Sequence, residues 1–101
     1  MAMYELYMLD KIGEPAMLEQ LAEECTELAK AALKEARILR GENPTSSDLT
    51  LEKAKNAVTE EYTDVVQCVY ELGIGVDLTQ MNKKHERFLQ RWEKHVEEQN
   101  C

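Results

Sequence analysis

The residues of this chain best suited to chemistry are two acidic clusters, Glu23-Glu24-Cys25-Thr26-Glu27 and Glu61-Tyr62-Thr63-Asp64, followed by three cations, Lys84, Arg87 and Arg91. Glu24 and Glu27 stand three positions apart, as do Glu61 and Asp64, an offset that puts each pair on one side of a helix. At about 100° per residue, Glu61 falls within the apolar arc of Ala54, Ala57, Val58, Val65, Cys68, Val69 and Leu72. A glutamate in such a place needs a compensating cation, because the buried charge is costly unless paired or coordinated. Two antiparallel helices packed by these faces would gather Glu24, Glu27, Glu61 and Asp64 into an oxygen-rich cage. Such a cage suits a hard ion, Mg²⁺ or alternatively Mn²⁺, better than zinc or copper.

Lys84, Arg87 and Arg91 follow an i, i+3, i+7 spacing and line one side of a helix beside the apolar residues Met81, Phe88 and Trp92. The planar guanidinium fork and the compact ammonium both suit phosphate oxygens. The plainer alternative is a solvated helix flank. With sixteen glutamates in the chain, acidic pairs also arise by chance, and the Glu23 to Glu27 run alone would pass for surface. The position of Glu61 shifts that balance toward a site. A di-iron carboxylate bundle needs Glu-x-x-His pairs, whereas His85 and His95 are preceded at that offset by Asn82 and Trp92. His85 is expected as a buried, satisfied histidine beside the apolar stripe. Glu35 lies within an apolar arc without an evident role.

Four helices are expected to position these groups, with no convincing strand. A first runs from about Ala2 to Ile12 and stops at Gly13; Pro15 then suits the first turn of a second. The second has a core stripe of Leu18, Leu21, Cys25, Leu28, Ala32, Ala36 and Leu39. Gly41 through Thr50 has loop chemistry, with Asp48 or Thr50 available to cap a third helix over about Leu51 to Leu72. Gly73-Ile74-Gly75 ends it, and Asp77 with Gln80 opens a fourth that reaches about Glu97. Tyr62, Val66 and Tyr70 form a second apolar patch on the third helix, which is covered either by a subunit interface or by the first or fourth helix.

The 101 residues make one domain, all-α, short enough to draw core from a partner. A net charge of −8 argues against nucleic acid as a partner, while an isolated nucleotide with its own divalent cations remains compatible. No membrane span or signal peptide is evident, and a cytoplasmic protein is expected. Three cysteines without zinc spacing predict neither disulfide nor zinc site.

Glu23-Glu24-x-x-Glu27 followed by Glu61-x-x-Asp64 resembles the signature of the MazG-type all-α NTP pyrophosphohydrolases, relatives of the dimeric dUTPases, and Lys84-x-x-Arg87-x-x-x-Arg91 resembles the basic segment of that family's last helix. The resemblance covers roughly Leu18 to Trp92. It implies a four-helix MazG-like bundle completed by oligomerisation, as a homodimer or homotetramer, and Mg²⁺-dependent cleavage of a nucleoside triphosphate to monophosphate and pyrophosphate. Glu24, Glu27, Glu61 and Asp64 would be metal ligands, Glu23 an accessory acid, and either Glu24 or Glu27 the group that orients or deprotonates water. Lys84, Arg87 and Arg91 would hold phosphates. The connection between Glu27 and Glu61 is longer than in compact members. Two rivals remain: a non-catalytic helical module binding a partner helix through Tyr62, Val66 and Tyr70, and a nucleotide-binding regulator with little turnover. Nothing in the sequence selects the base.

Overall fold

A computed structural model describes residues 7–42 and 50–100. Four helices follow one another: α1 (Met8–Ile12), α2 (Glu14–Leu39), α3 (Leu51–Leu72) and α4 (Leu78–Gln99). No strand occurs among the described residues, as the helical periodicity predicts. The expected start of α1 near Ala2 and the cap at Asp48 lie outside the described residues.

Local chemistry sets the helix ends. Gly13 closes α1 with its N–H on the Leu9 carbonyl, and its φ of 87° is one that a side chain would strain. Pro15 then sits in the first turn of α2, where its missing N–H costs nothing. Thr50 caps α3 by accepting the Lys53 N–H at 3.1 Å. At the other end Gly73 turns left-handed at φ 68°, and the N–H groups of Gly73 and Ile74 bond to the carbonyls of Tyr70 and Val69, a Schellman closure. Asp77 caps α4 by accepting the Gln80 N–H at 3.0 Å.

The core is the antiparallel α2–α3 hairpin, in which Glu24 meets Glu61 and Asp64 while Glu35 meets Lys55 toward the other end. Its buried residues are Met17, Ala31, Ala54 and Cys68, of which Met17 is 0 % exposed. Three of these are small, which lets the two helices approach closely. The face that α2 presents differs from the expected stripe. Leu18, Cys25, Ala32 and Leu39 are exposed, and Met17 and Ala31 take the buried places, a rotation of less than one residue step about the helix axis. Alanines on several sides of α2 allow either face to pack. On α3, by contrast, the expected arc does face the partner, with Ala54 and Cys68 buried and Ala57, Val58, Val65, Val69 and Leu72 partly so.

α1 rests on one end of the hairpin, touching both α2 and α3. Glu71 accepts the Leu9 N–H at 2.8 Å, satisfying a free donor of the α1 N-terminus. Tyr7, just before α1, stacks on Tyr70 with centroids 5.9 Å apart and hydroxyls at 3.2 Å. That hydrogen bond, followed by the Tyr70 charge, pushes the Tyr7 phenol above its ordinary value.

α4 stands apart from the other helices within the single chain. It contacts neither α2 nor α3 of its own chain, and every one of its residues is exposed, including His85, which was expected to be buried. The radius of gyration is accordingly 19.0 Å, against roughly 13 Å for a compact chain of this length. No described helix is long and apolar enough to cross a membrane.

Candidate metal centre

Each acidic residue reaches the site because of where the hairpin's contact face falls on its helix. Glu61 sits at the middle of the α3 face, Asp64 almost one turn on toward its edge, and Glu24 on the facing side of α2. One carboxylate oxygen from each of Glu24, Glu61 and Asp64 lies within 4.8 Å of the others, and all three side chains are partly buried. Hard oxygen donors, and no sulfur or imidazole, make up the group, a donor set that could hold a hard cation.

The Glu61 carboxyl is held above its ordinary value of 4.5, first by desolvation between the helices and then by the charges of Asp64, Glu24 and Glu27. No ion pair among the described residues reaches Glu24, Glu61 or Asp64. Among the described residues, no lysine or arginine therefore serves as the cation that the sequence calls for at Glu61. Gln20 donates to Glu24 at 2.8 Å and so fixes its carboxylate from the preceding turn. The hydroxyls of Thr26 and Thr63 turn back to the carbonyls of Ala22 and Thr59 and take no part.

The other candidate residues are placed differently. Glu27 stands outside the three-residue group, half exposed and 3.6 Å from Lys30, yet near enough to act on Glu61. Glu23 is exposed on the solvent side of α2. Lys84, Arg87 and Arg91 are exposed on α4, in no ion pair among the described residues and apart from the acidic group. A shallow groove of about 450 Å³ runs along α4, lined by Asp77, Gln80, Lys83 and Arg87, separate from the carboxylates.

Two roles escaped the sequence. Glu35 pairs with Lys55 at 3.0 Å across the hairpin, its side chain only 18 % exposed. The signal was there, since an acid in an apolar arc demands a cation, but the partner lies on another helix. Glu71 as the cap of α1 is equally long-range. Burial raises the Cys68 thiol, with the Glu24 and Asp64 charges adding to it, so this cysteine beside the site is an inert packing group rather than a thiolate ligand. Comparison of the chain with protein-family models, with curated proteins and with solved structures finds no match.

Proposed function

We propose that this chain is a Mg²⁺-dependent nucleoside triphosphate pyrophosphohydrolase of the MazG type, cleaving (d)NTP to (d)NMP and pyrophosphate in nucleotide-pool house-cleaning or control. It acts in the cytoplasm as a homodimer or homotetramer, on free nucleotides rather than nucleic acid. The observation that carries this reading is the convergence of Glu24, Glu61 and Asp64 from two helices, within 4.8 Å and with no ion pair to them among the described residues.

A divalent ion held by these carboxylates would supply charge neutralisation for the triphosphate oxygens. Glu24 is held in place by Gln20, while Glu61 and Asp64 project from one side of α3. Glu27, outside the ligand group but close to it and paired only with the exposed Lys30, would orient water and take its proton. The water oxygen bonds to the α-phosphorus as the bond to the β-phosphate breaks, and pyrophosphate carries away the electron pair. Lys84, Arg87 and Arg91 bind phosphate oxygens, and because α4 stands apart from its own hairpin they do so from another subunit.

Pyrophosphate release is measured across a panel of common and modified nucleoside triphosphates, first with Mg²⁺ and then with EDTA. Metal-dependent release with at least one of them supports the enzyme. Absence of release throughout favours the non-catalytic module, a reading to which the wholly exposed apolar stripe of α4 gives some support.

A further inference from the structure

Three consecutive residues at the start of α1 are each held by one side of α3. Tyr7 stacks on Tyr70 with the two hydroxyls 3.2 Å apart, the Met8 sulfur accepts the Gln67 side-chain amide at 3.4 Å, and the Leu9 N–H donates to Glu71 at 2.8 Å. Gln67, Tyr70 and Glu71 follow an i, i+3, i+4 spacing and so share that side. The Tyr7 ring is therefore placed by more than its own contact, since both residues that follow it are tied to the same helix. The two phenols meet although they stand 63 positions apart in the sequence.

Two stacked phenols joined at their oxygens are arranged for radical chemistry. One-electron oxidation of a phenol also removes its hydroxyl proton, and the hydrogen bond between these hydroxyls supplies an acceptor for it. The unpaired electron of the resulting phenoxyl spreads from oxygen to the ring carbons ortho and para to it. The para carbon already carries Cβ, which leaves the two ortho carbons, Cε1 and Cε2, to form new bonds. Those carbons adjoin the carbon that bears the oxygen, and the close hydroxyls bring these ends of both rings together. Tyr70 is 66 % exposed and Tyr7 partly so, which leaves the pair open to an oxidant. Tyr62 is exposed on α3 as well but has no ring beside it among the described residues.

We propose that Tyr7 and Tyr70 form an oxidative cross-linking site, at which a one-electron oxidant, the ferryl haem of a peroxidase working on hydrogen peroxide, joins the two rings and ties α1 covalently to α3. Each phenol gives up one electron and its hydroxyl proton. The two radicals combine in a carbon–carbon bond between one Cε of each ring. The hydrogen on each joined carbon then moves to the oxygen of its own ring, which restores both aromatic rings and both hydroxyls. The chain loses two hydrogen atoms, and one hydrogen peroxide takes them up as it becomes two waters. Because the fold holds the rings together, coupling within the chain runs at a high effective concentration and outpaces coupling between chains. The link depends neither on hydrolysis nor on a bound cation.

The test treats the unaltered chain in dilute solution, its accessible thiols alkylated so that they do not quench radicals, with a haem peroxidase and limiting hydrogen peroxide. Blue dityrosine fluorescence is expected, with one joined peptide pair in the mass spectrum of the digest, containing Tyr7 and Tyr70 and lighter than their sum by two hydrogen atoms. Hydrogen exchange at the Leu9 amide should slow in the joined chain, because α1 can no longer lift from α3. Tyr7→Phe and Tyr70→Phe should each abolish the joined pair with the helical CD signal retained, and Tyr62→Phe should leave its yield unchanged. Oxidation in denaturing urea should lower the yield several-fold, since the rings are then no longer held together. A yield as high in urea as in buffer overturns the proposal, as do links mainly between chains or pairs that lack either tyrosine. So does an oxidised chain that carries Met8 sulfoxide and no joined rings.

Discussion

Replacing Glu61 with Gln tests the acidic group in two opposite directions, because the amide should strengthen the metal-free protein and weaken its hold on a cation. Desolvation, then Asp64 and Glu24, hold the Glu61 carboxyl above 4.5 in the folded chain. The folded state therefore binds more protons than the unfolded state in that window. Stability linked to Glu61 is fully present below about pH 4.5 and is lost as pH rises through the raised folded-state value. Cation binding runs the other way, since the ligand must first lose its proton. Affinity should rise by up to about tenfold per pH unit below the folded-state pKa of Glu61 and level off above it. The substitution removes one of the three charges of the group and that proton with it. In EDTA at about pH 7.5, the Glu61→Gln chain should melt at a higher temperature than its parent, the difference closing toward about pH 4. With Mn²⁺ at about one hundred times its Kd, the parent should gain about 2.7 kcal/mol, roughly 10–20 °C in Tm for a chain this size. The variant should bind at least about tenfold more weakly, the lower end of what losing even an outer-sphere metal partner costs. Differential scanning fluorimetry across pH and titration calorimetry in two buffers, which counts released protons, read all of this. A variant that melts lower than its parent in EDTA and still binds Mn²⁺ equally well would refute the reasoning.

Met17→Ala, at the one described side chain with no exposure, should cost about 2–5 kcal/mol, a large part of a total of roughly 5–15, and lower the urea midpoint accordingly. Breaking the Glu35–Lys55 pair by Lys55→Ala should cost about 1 kcal/mol or less, since Lys55 is itself well exposed; a double-mutant cycle with Glu35→Gln measures the coupling. Iodoacetamide at mildly alkaline pH should label Cys25 well before Cys68, whose thiol is buried and shifted upward, and peptide mapping gives the order. Glu71→Ala should free the α1 N-terminus and speed hydrogen exchange at the Leu9 amide while leaving exchange in the middle of α2 and α3 unchanged.

The sequence made legible what depends on local chemistry. Thr50, Gly73 and Asp77 act within a few residues of themselves, and each marks the helix end where the structure has it. The α3 contact face was legible as well, because its apolar residues occupy a single arc and Glu61 stands out within it. On α2, alanines and leucines spread around most of the circumference, so periodicity could not distinguish the Leu18–Cys25–Ala32–Leu39 line from the Met17–Ala31 line. Which line is buried depends on how α2 meets α3, a property of the pair. The same distinction runs through the site. Glu24, Glu61 and Asp64 converge because the hairpin is antiparallel and in that register, whereas the same three-residue offset did not bring in Glu27, which lies farther from the contact face. The position of α4 was not legible at all: an amphipathic pattern states that a stripe needs covering and is silent on what covers it.

The claim on which the rest depends is that Glu24, Glu61 and Asp64 hold a hard divalent ion. Crystals grown with Mn²⁺ and a non-hydrolysable nucleoside triphosphate, measured at the manganese absorption edge, test it directly. The account predicts an anomalous peak within coordination distance of all three carboxylates, about 2.1–2.2 Å from their oxygens, with phosphate oxygens on its open side. A peak held by other residues, or none at saturating Mn²⁺, would contradict it.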